Sequence, residues 1–184
     1  MSEILTYTRV MFDPVHPDAA LVDIRDVAHS LSLLCRANGH FSTFYSVGQH
    51  CINCMQEAAA RGYSRRVQLA CLLHDASEAY MADVTRPVKK ELPRYIEIEE
   101  PLQALIWEKF LGEPLTQEEY TQVFDIDDAI LHYEFVALMD TRLAEEEPML
   151  CSKPVFDFLG FAQCEEQFLQ HFHRLAKKEP GEST

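Results

Sequence analysis

The run Leu72-Leu73-His74-Asp75-Ala76-Ser77-Glu78, continuing through Met81-Ala82-Asp83, decides how the rest of the chain is read. A histidine followed directly by an aspartate inside an apolar helical pattern is costly, because buried imidazole and carboxylate lose hydration unless something pairs with them. A metal ion is such a partner. Val67, Ala70 and Cys71 lead to His74 at helical spacing, and Glu78 lies four residues beyond it and three beyond Asp75. A third helix over about residues 65–80 therefore places all three polar groups on one face. A half-exposed His-Asp ion pair is the competing reading, and the rest of the chain weighs between them.

With 184 residues, 47% hydrophobic and 25% charged, the composition is that of one ordinary globular domain, and 6 glycines and 9 prolines are too few for a low-complexity chain. The expectation is a single domain over 1–184, with 1–21 an irregular arm holding at most a short strand and 179–184 a frayed tail. A formal charge of -14, from 30 acidic against 16 basic residues, repels polyanions and argues against extended nucleic acid as a partner. It leaves room for a small phosphorylated ligand where cations or a metal override the field. No apolar run reaches the ~20 residues of a membrane span and the first residues lack a secretory pattern, so no membrane partner and a cytoplasmic location are expected. Cys35, Cys51, Cys54, Cys71 and Cys164 fall in apolar helical patterns, as small buried thiols do in a reducing compartment. Cys51-x-x-Cys54 lacks the second Cys pair that a zinc or redox motif would bring.

The first helix is predicted over about 24–36, capped by Asp23 and stopped by Gly39. Ser46 opens a second helix with Val47, His50, Cys51, Cys54 and Ala58 inside, closed by Gly62. A short turn then makes helices two and three an antiparallel hairpin, so that His50 and His74 can face each other. Residues 83–93 read as a loop holding a basic cluster of Arg86, Lys89 and Lys90, and a helix over about 95–111 follows, kinked or restarted by Pro101. Thr116-x-x-Glu119 is a capping box for a short helix. A long helix over about 124–146 and a last one over about 161–177 complete an all-α fold of six or seven helices. No convincing alternating strand stands out.

A His on one helix, His-Asp on the next and a late Asp resembles the HD-domain superfamily of metal-dependent phosphohydrolases. Phe44-Tyr45-Ser46-Val47-Gly48-Gln49-His50 and Leu72-Leu73-His74-Asp75-Ala76-Ser77-Glu78-Ala79, followed by Asp83 and Arg86-Pro87-Val88-Lys89, are similar to the branch containing bacterial 5'-deoxynucleotidases and small phage proteins. The match covers about residues 23–142. It implies a helical bundle around a mononuclear divalent site with His50, His74, Asp75 and Asp127 as ligands. Asp125 and Asp128 lie close by; Asp127 is chosen because Glu134 follows two turns on along the same face.

Imidazole and carboxylate donors suit Co, Mn, Ni, Fe or Zn better than Mg. By the same resemblance Glu78 and Asp83 handle protons and Arg36 contacts the substrate phosphate; Lys89, from the basic loop, is a further candidate for substrate binding as a second positive charge, against the competing reading of a solvated loop lysine. His29, His40 and His132 are left out of the metal set. The implied reaction is hydrolysis of a deoxyribonucleoside 5'-monophosphate to nucleoside and phosphate. The alternatives are a dNTP triphosphohydrolase releasing tripolyphosphate and a non-catalytic nucleotide-binding HD protein. A homodimer is suggested by resemblance only.

Overall fold

The computed structural model describes residues 3–177, so the expected tail over 179–184 lies outside the described residues. The architecture is mostly helical, with eight α-helices and one two-stranded antiparallel hairpin among the described residues, where six or seven helices were expected. The hairpin pairs β1 (Ile4–Leu5) with β2 (Met11–Phe12) inside the N-terminal arm. Asp26 holds this arm down. Its carboxylate accepts from the Thr8 backbone N–H at 2.6 Å and from the Thr8 hydroxyl at 2.8 Å.

Helix α1 (Ile24–Leu33) starts on an Asp23 cap and ends three residues earlier than its pattern suggested. Cys35 and Arg36 therefore lie beyond it, and Cys35 is exposed rather than buried. Helix α2 (Val47–Ala60) opens on Ser46, whose hydroxyl accepts from Gln49 N–H, and runs through the middle of the core against α1, α7 and α8. Gly48 makes the first of these approaches possible, since a Cβ there would lie 3.2 Å from the Leu31 backbone and 3.1 Å from Cys164 Sγ. One edge of α2 is polar although buried. Gln49, Asn53, Glu57 and Arg61 recur every fourth residue and bond the backbone of the extended segment at residues 149–157, with Asn53 both donating to Val155 O and accepting from its N–H.

Helix α3 (Arg65–Leu72) packs along α2 as the expected hairpin, but the helix predicted to Tyr80 stops at Leu72 and resumes only as α4 (Glu78–Met81). A side chain from a distant helix sits in the break. In a continuous helix the Leu73 carbonyl would accept from the Ser77 N–H four residues on. Here Leu73 O accepts from Ala76 N–H at 3.0 Å and from the Gln103 carboxamide at 2.8 Å, and the same carboxamide accepts from Ser77 N–H at 3.0 Å. Insertion of a side chain into the helical ladder opens the turn between them. Trp107, one turn further on, donates its indole N–H to Ala70 O at 3.2 Å.

The basic loop forms one short helix, α5 (Arg86–Lys89), and α6 (Pro93–Leu111) continues through Pro101 without restarting. The capping box at Thr116 and Glu119 starts the long helix itself rather than a separate short one. Helix α7 (Gln117–Met139) holds no glycine or proline that could divide it, and it ends at Met139 rather than near 146 because Asp140 turns left-handed at φ 50°. Helix α8 (Phe161–Ala176) closes the core against α1, α2 and α3. No helix among the described residues is long and apolar enough to cross a membrane.

Candidate metal centre and its cavity

Four side chains from three parts of the fold converge, and three of them, His74, Asp75 and Asp127, line a cavity of about 940 Å³. His50 comes from the inner face of α2, His74 and Asp75 from the opened turn after α3, and Asp127 from the buried face of α7. His50 Nε2 lies 3.1 Å from His74 Nε2 and 3.1 Å from Asp127 Oδ1. His74 Nε2 lies 3.3 Å from Asp75 Oδ2 and 3.7 Å from Asp127 Oδ1, and His50 Nε2 is 3.8 Å from Asp75 Oδ2. Asp125 and Asp128 do not join them. Both are exposed, and Asp128 binds Arg86.

The ring tautomers follow from what the other nitrogens touch. His50 Nδ1 lies 2.5 Å from Glu134 Oε1, and His74 Nδ1 lies 2.7 Å from the Cys71 carbonyl. Both acceptors lack protons, so both Nδ1 atoms donate and each neutral ring presents a lone pair at Nε2. Two imidazole lone pairs and two carboxylate oxygens thus face one another. Such an arrangement needs positive charge, a proton or a metal ion, in its midst. Burial pushes the His74 pKa down, but the charge of Asp75 and the contacts with Cys51 and Asp127 outweigh it and hold it well above the usual value. Asp127 is held well below the carboxylate range, because hydrogen bonds from His50 and His74 overcome its burial.

Thiols border the same cluster. His50, Cys54 and His74, all buried, could hold a metal ion, and Cys51, His74 and Asp75 form a second such group. Cys54 Sγ lies 3.5 Å from His50 Nε2 and 3.9 Å from its Nδ1, which places the sulfur beside the ring rather than along the Nε2 lone pair. Burial raises the Cys51 thiol to about 11 and the Cys71 thiol to about 12, so both stay protonated at neutral pH.

Around the cluster stand the charged groups of the cavity. Glu134, fully buried, accepts from His50 and from Arg36 Nε at 3.1 Å, and Arg36 Nη1 reaches Asp75 Oδ2 at 3.2 Å. Arg36 is therefore a brace between two carboxylates. Its Nη2 has no hydrogen-bond partner among the described residues and is the nitrogen left for a ligand. Arg86 was not singled out as a site residue, yet it binds Asp127 Oδ2 at 2.6 Å and Asp128 at 2.5 Å, so each oxygen of Asp127 has its own partner. Lys89 lines the cavity with its ammonium 2.7 Å from Glu99 Oε1.

Glu78 and Asp83 face this polar end. Glu78 is buried, its Oε2 has no partner among the described residues, and burial followed by the charges of Asp75 and Asp83 raises its pKa well above the usual value. Asp83 is raised less, by its own burial first. Ala82 between them has φ 88° and ψ 155°, a conformation that costs a non-glycine residue about 1–3 kcal/mol, and the Tyr95 hydroxyl donates to its carbonyl. This bend brings Asp83 back to the cavity. Trp107, Tyr120 and Phe124 add aromatic rings to the cavity lining.

No family model matches the chain. It is 38% identical over 112 residues to the uncharacterized protein YfdR of Escherichia coli (strain K12), an alignment covering 60% of this chain and 59% of that protein. It is 35% identical over 106 residues to an uncharacterized protein of Rhodobacter capsulatus, covering 54% and 52% respectively. The chain thus spans less than two thirds of the length of the curated relatives it matches.

Proposed function

We propose that the protein is a metal-dependent phosphohydrolase of the HD-domain type that converts deoxyribonucleoside 5'-monophosphates to nucleoside and phosphate. The observation that carries this reading is the convergence of four donor atoms, His50 Nε2, His74 Nε2, Asp75 Oδ2 and Asp127 Oδ1, with each carboxylate oxygen within 3.8 Å of both ring nitrogens, beside a cavity that also has aromatic lining. Donors of this kind fit Co, Mn, Ni, Fe or Zn. When bound, the ion supplies Lewis acidity to a phosphoryl oxygen and to water.

The chain's own groups do the rest. Glu134 and the Cys71 carbonyl fix the two rings, and Arg36 orients Asp75 while offering Nη2 to the phosphate. Of the two proton-handling carboxyls, Glu78 holds its proton to the higher pH and is assigned as the acid that protonates the leaving 5'-oxygen. Asp83, the less shifted, accepts a proton from the attacking water. A monophosphate suits the charge balance, because Arg36, Arg86 and Lys89 are each already paired with carboxylates and leave little cationic surface for outer phosphates.

The test is a panel of nucleoside mono- and triphosphates incubated with metal-reconstituted protein. The proposal expects inorganic phosphate from the 5'-monophosphates at higher kcat/KM than any product from the triphosphates. Intact tripolyphosphate from dNTPs, with nothing from monophosphates, would replace it with the triphosphohydrolase. Tight nucleotide binding without any product would mark a non-catalytic nucleotide-binding protein.

A further inference from the structure

The Gln103 carboxamide stands where a backbone hydrogen bond of a continuous α3–α4 helix would be, between Leu73 O and Ser77 N–H. The residues enclosed by that bond include His74 and Asp75, the two groups that must turn together towards His50 and Asp127. An α-helix separates neighbouring side chains by about 100° around its axis. On a regular helix His74 and Asp75 would therefore diverge rather than share the single face expected from their spacing with Glu78, whereas in the opened turn their ligand atoms lie 3.3 Å apart. Gln103 is buried, both ends of its amide are used, and it sits on α6, an element that contributes none of the four converging groups. No charge complicates its role.

We infer that Gln103 is a positioning residue: by occupying both ends of the Leu73–Ser77 helical bond, it holds the His74–Asp75 turn open and so sets the affinity of the centre for its ion. The inference rests on the reading of the cluster as a metal centre. Gln103→Met keeps the length and burial of the side chain but cannot bond either group, which leaves Ser77 N–H free to pair with Leu73 O, to which only Ala76 N–H then remains bonded, at 3.0 Å. Gln103→Glu keeps an acceptor for Ser77 N–H and loses the donor to Leu73 O.

The experiment measures the affinity of metal-free wild type and both variants for Co(II) by competition with a chelator, at a temperature where all three are folded. Backbone chemical shifts of residues 73–77 are recorded in parallel. The expected result is a loss of about 10–100-fold in affinity for Gln103→Met, the range seen when groups that orient ligands are removed. Gln103→Glu should fall between it and wild type, and the shifts of residues 73–77 should move towards helical values in Gln103→Met. Affinities within twofold of wild type, with unchanged shifts, would overturn the inference. If wild type takes up no divalent ion yet the shifts still move in Gln103→Met, the metal reading fails while the bracing role of Gln103 is supported.

Discussion

Glu134 is the residue whose removal most sharply tests how the centre is held. It is fully buried and accepts two hydrogen bonds, from His50 Nδ1 at 2.5 Å and from Arg36 Nε at 3.1 Å. Glu134→Leu strands both donors in the core, one neutral and one charged. Two orphaned buried donors at about 1–3 kcal/mol each cost about 2–6 kcal/mol, and breaking a buried charge pair costs about 3–5 kcal/mol, so about 3–4 kcal/mol lies within both ranges. Arg36 keeps Asp75 as a partner, which argues for the lower end. Against a typical domain stability of about 5–15 kcal/mol this is a large fraction.

In urea, with an m-value near 2 kcal/mol/M, the midpoint should fall by about 1.5–2 M without a change in slope. Glu134→Gln keeps one acceptor and should lose about half as much. The pH dependence has a definite sign. Burial alone would raise the Glu134 pKa, but Arg36 and His50 lower it below 4.5, so its stabilisation is present above about pH 4.5 and fades as the pH falls further. The gap between wild type and Glu134→Gln should therefore narrow on acidification. A midpoint within about 0.3 M of wild type for Glu134→Leu at pH 7 would refute the reasoning, because such a value is less than 1 kcal/mol at that slope.

Two further outcomes follow from the cavity. Glu78 is raised by burial and by Asp75 and Asp83, so its favourable contribution is present below pH 4.5 and lost as the pH rises through its folded value. Metal-free Glu78→Gln should accordingly be about 1–3 kcal/mol more stable than wild type at pH 8 and nearly equal at pH 4 by urea unfolding, while losing at least ~10²-fold in turnover. Arg36→Ala should lower kcat as well as raise KM, since the guanidinium braces Asp75 and Glu134 besides facing the ligand. Steady-state kinetics showing a change in KM alone would reduce Arg36 to a simple phosphate contact.

Much of the site was legible because its spacing is local. His50 falls on the inner stripe of α2, and Glu134, two turns beyond Asp127, picks that aspartate out of three, since both face inward on α7. What could not be read is what reaches in from elsewhere. The periodicity of residues 65–80 is helical, and its pattern gives no sign of the break into which Gln103, 26 residues after Ser77, inserts. Arg86 reads only as part of the basic loop, because its partners, Asp127 and Asp128, lie some 40 residues further on. One missed feature did leave a signal. Gln49, Asn53, Glu57 and Arg61 repeat every fourth residue beside the apolar stripe of α2, a polar edge with a partner to find. The hairpin in the N-terminal arm has strands of two residues each, too short to show alternation.

The central claim is that the four converging groups hold an ion which the phosphohydrolase reaction requires. Titrating Co(II) into metal-free protein with a deoxyribonucleoside 5'-monophosphate present, and measuring inorganic phosphate release for wild type and for folded Asp127→Ala, tests it most directly. The account predicts release that rises to saturation at one ion per chain in wild type, is abolished by a chelator, and is lost in Asp127→Ala. Full uptake of the ion with no phosphate from any nucleotide, or undiminished release from Asp127→Ala, would contradict it.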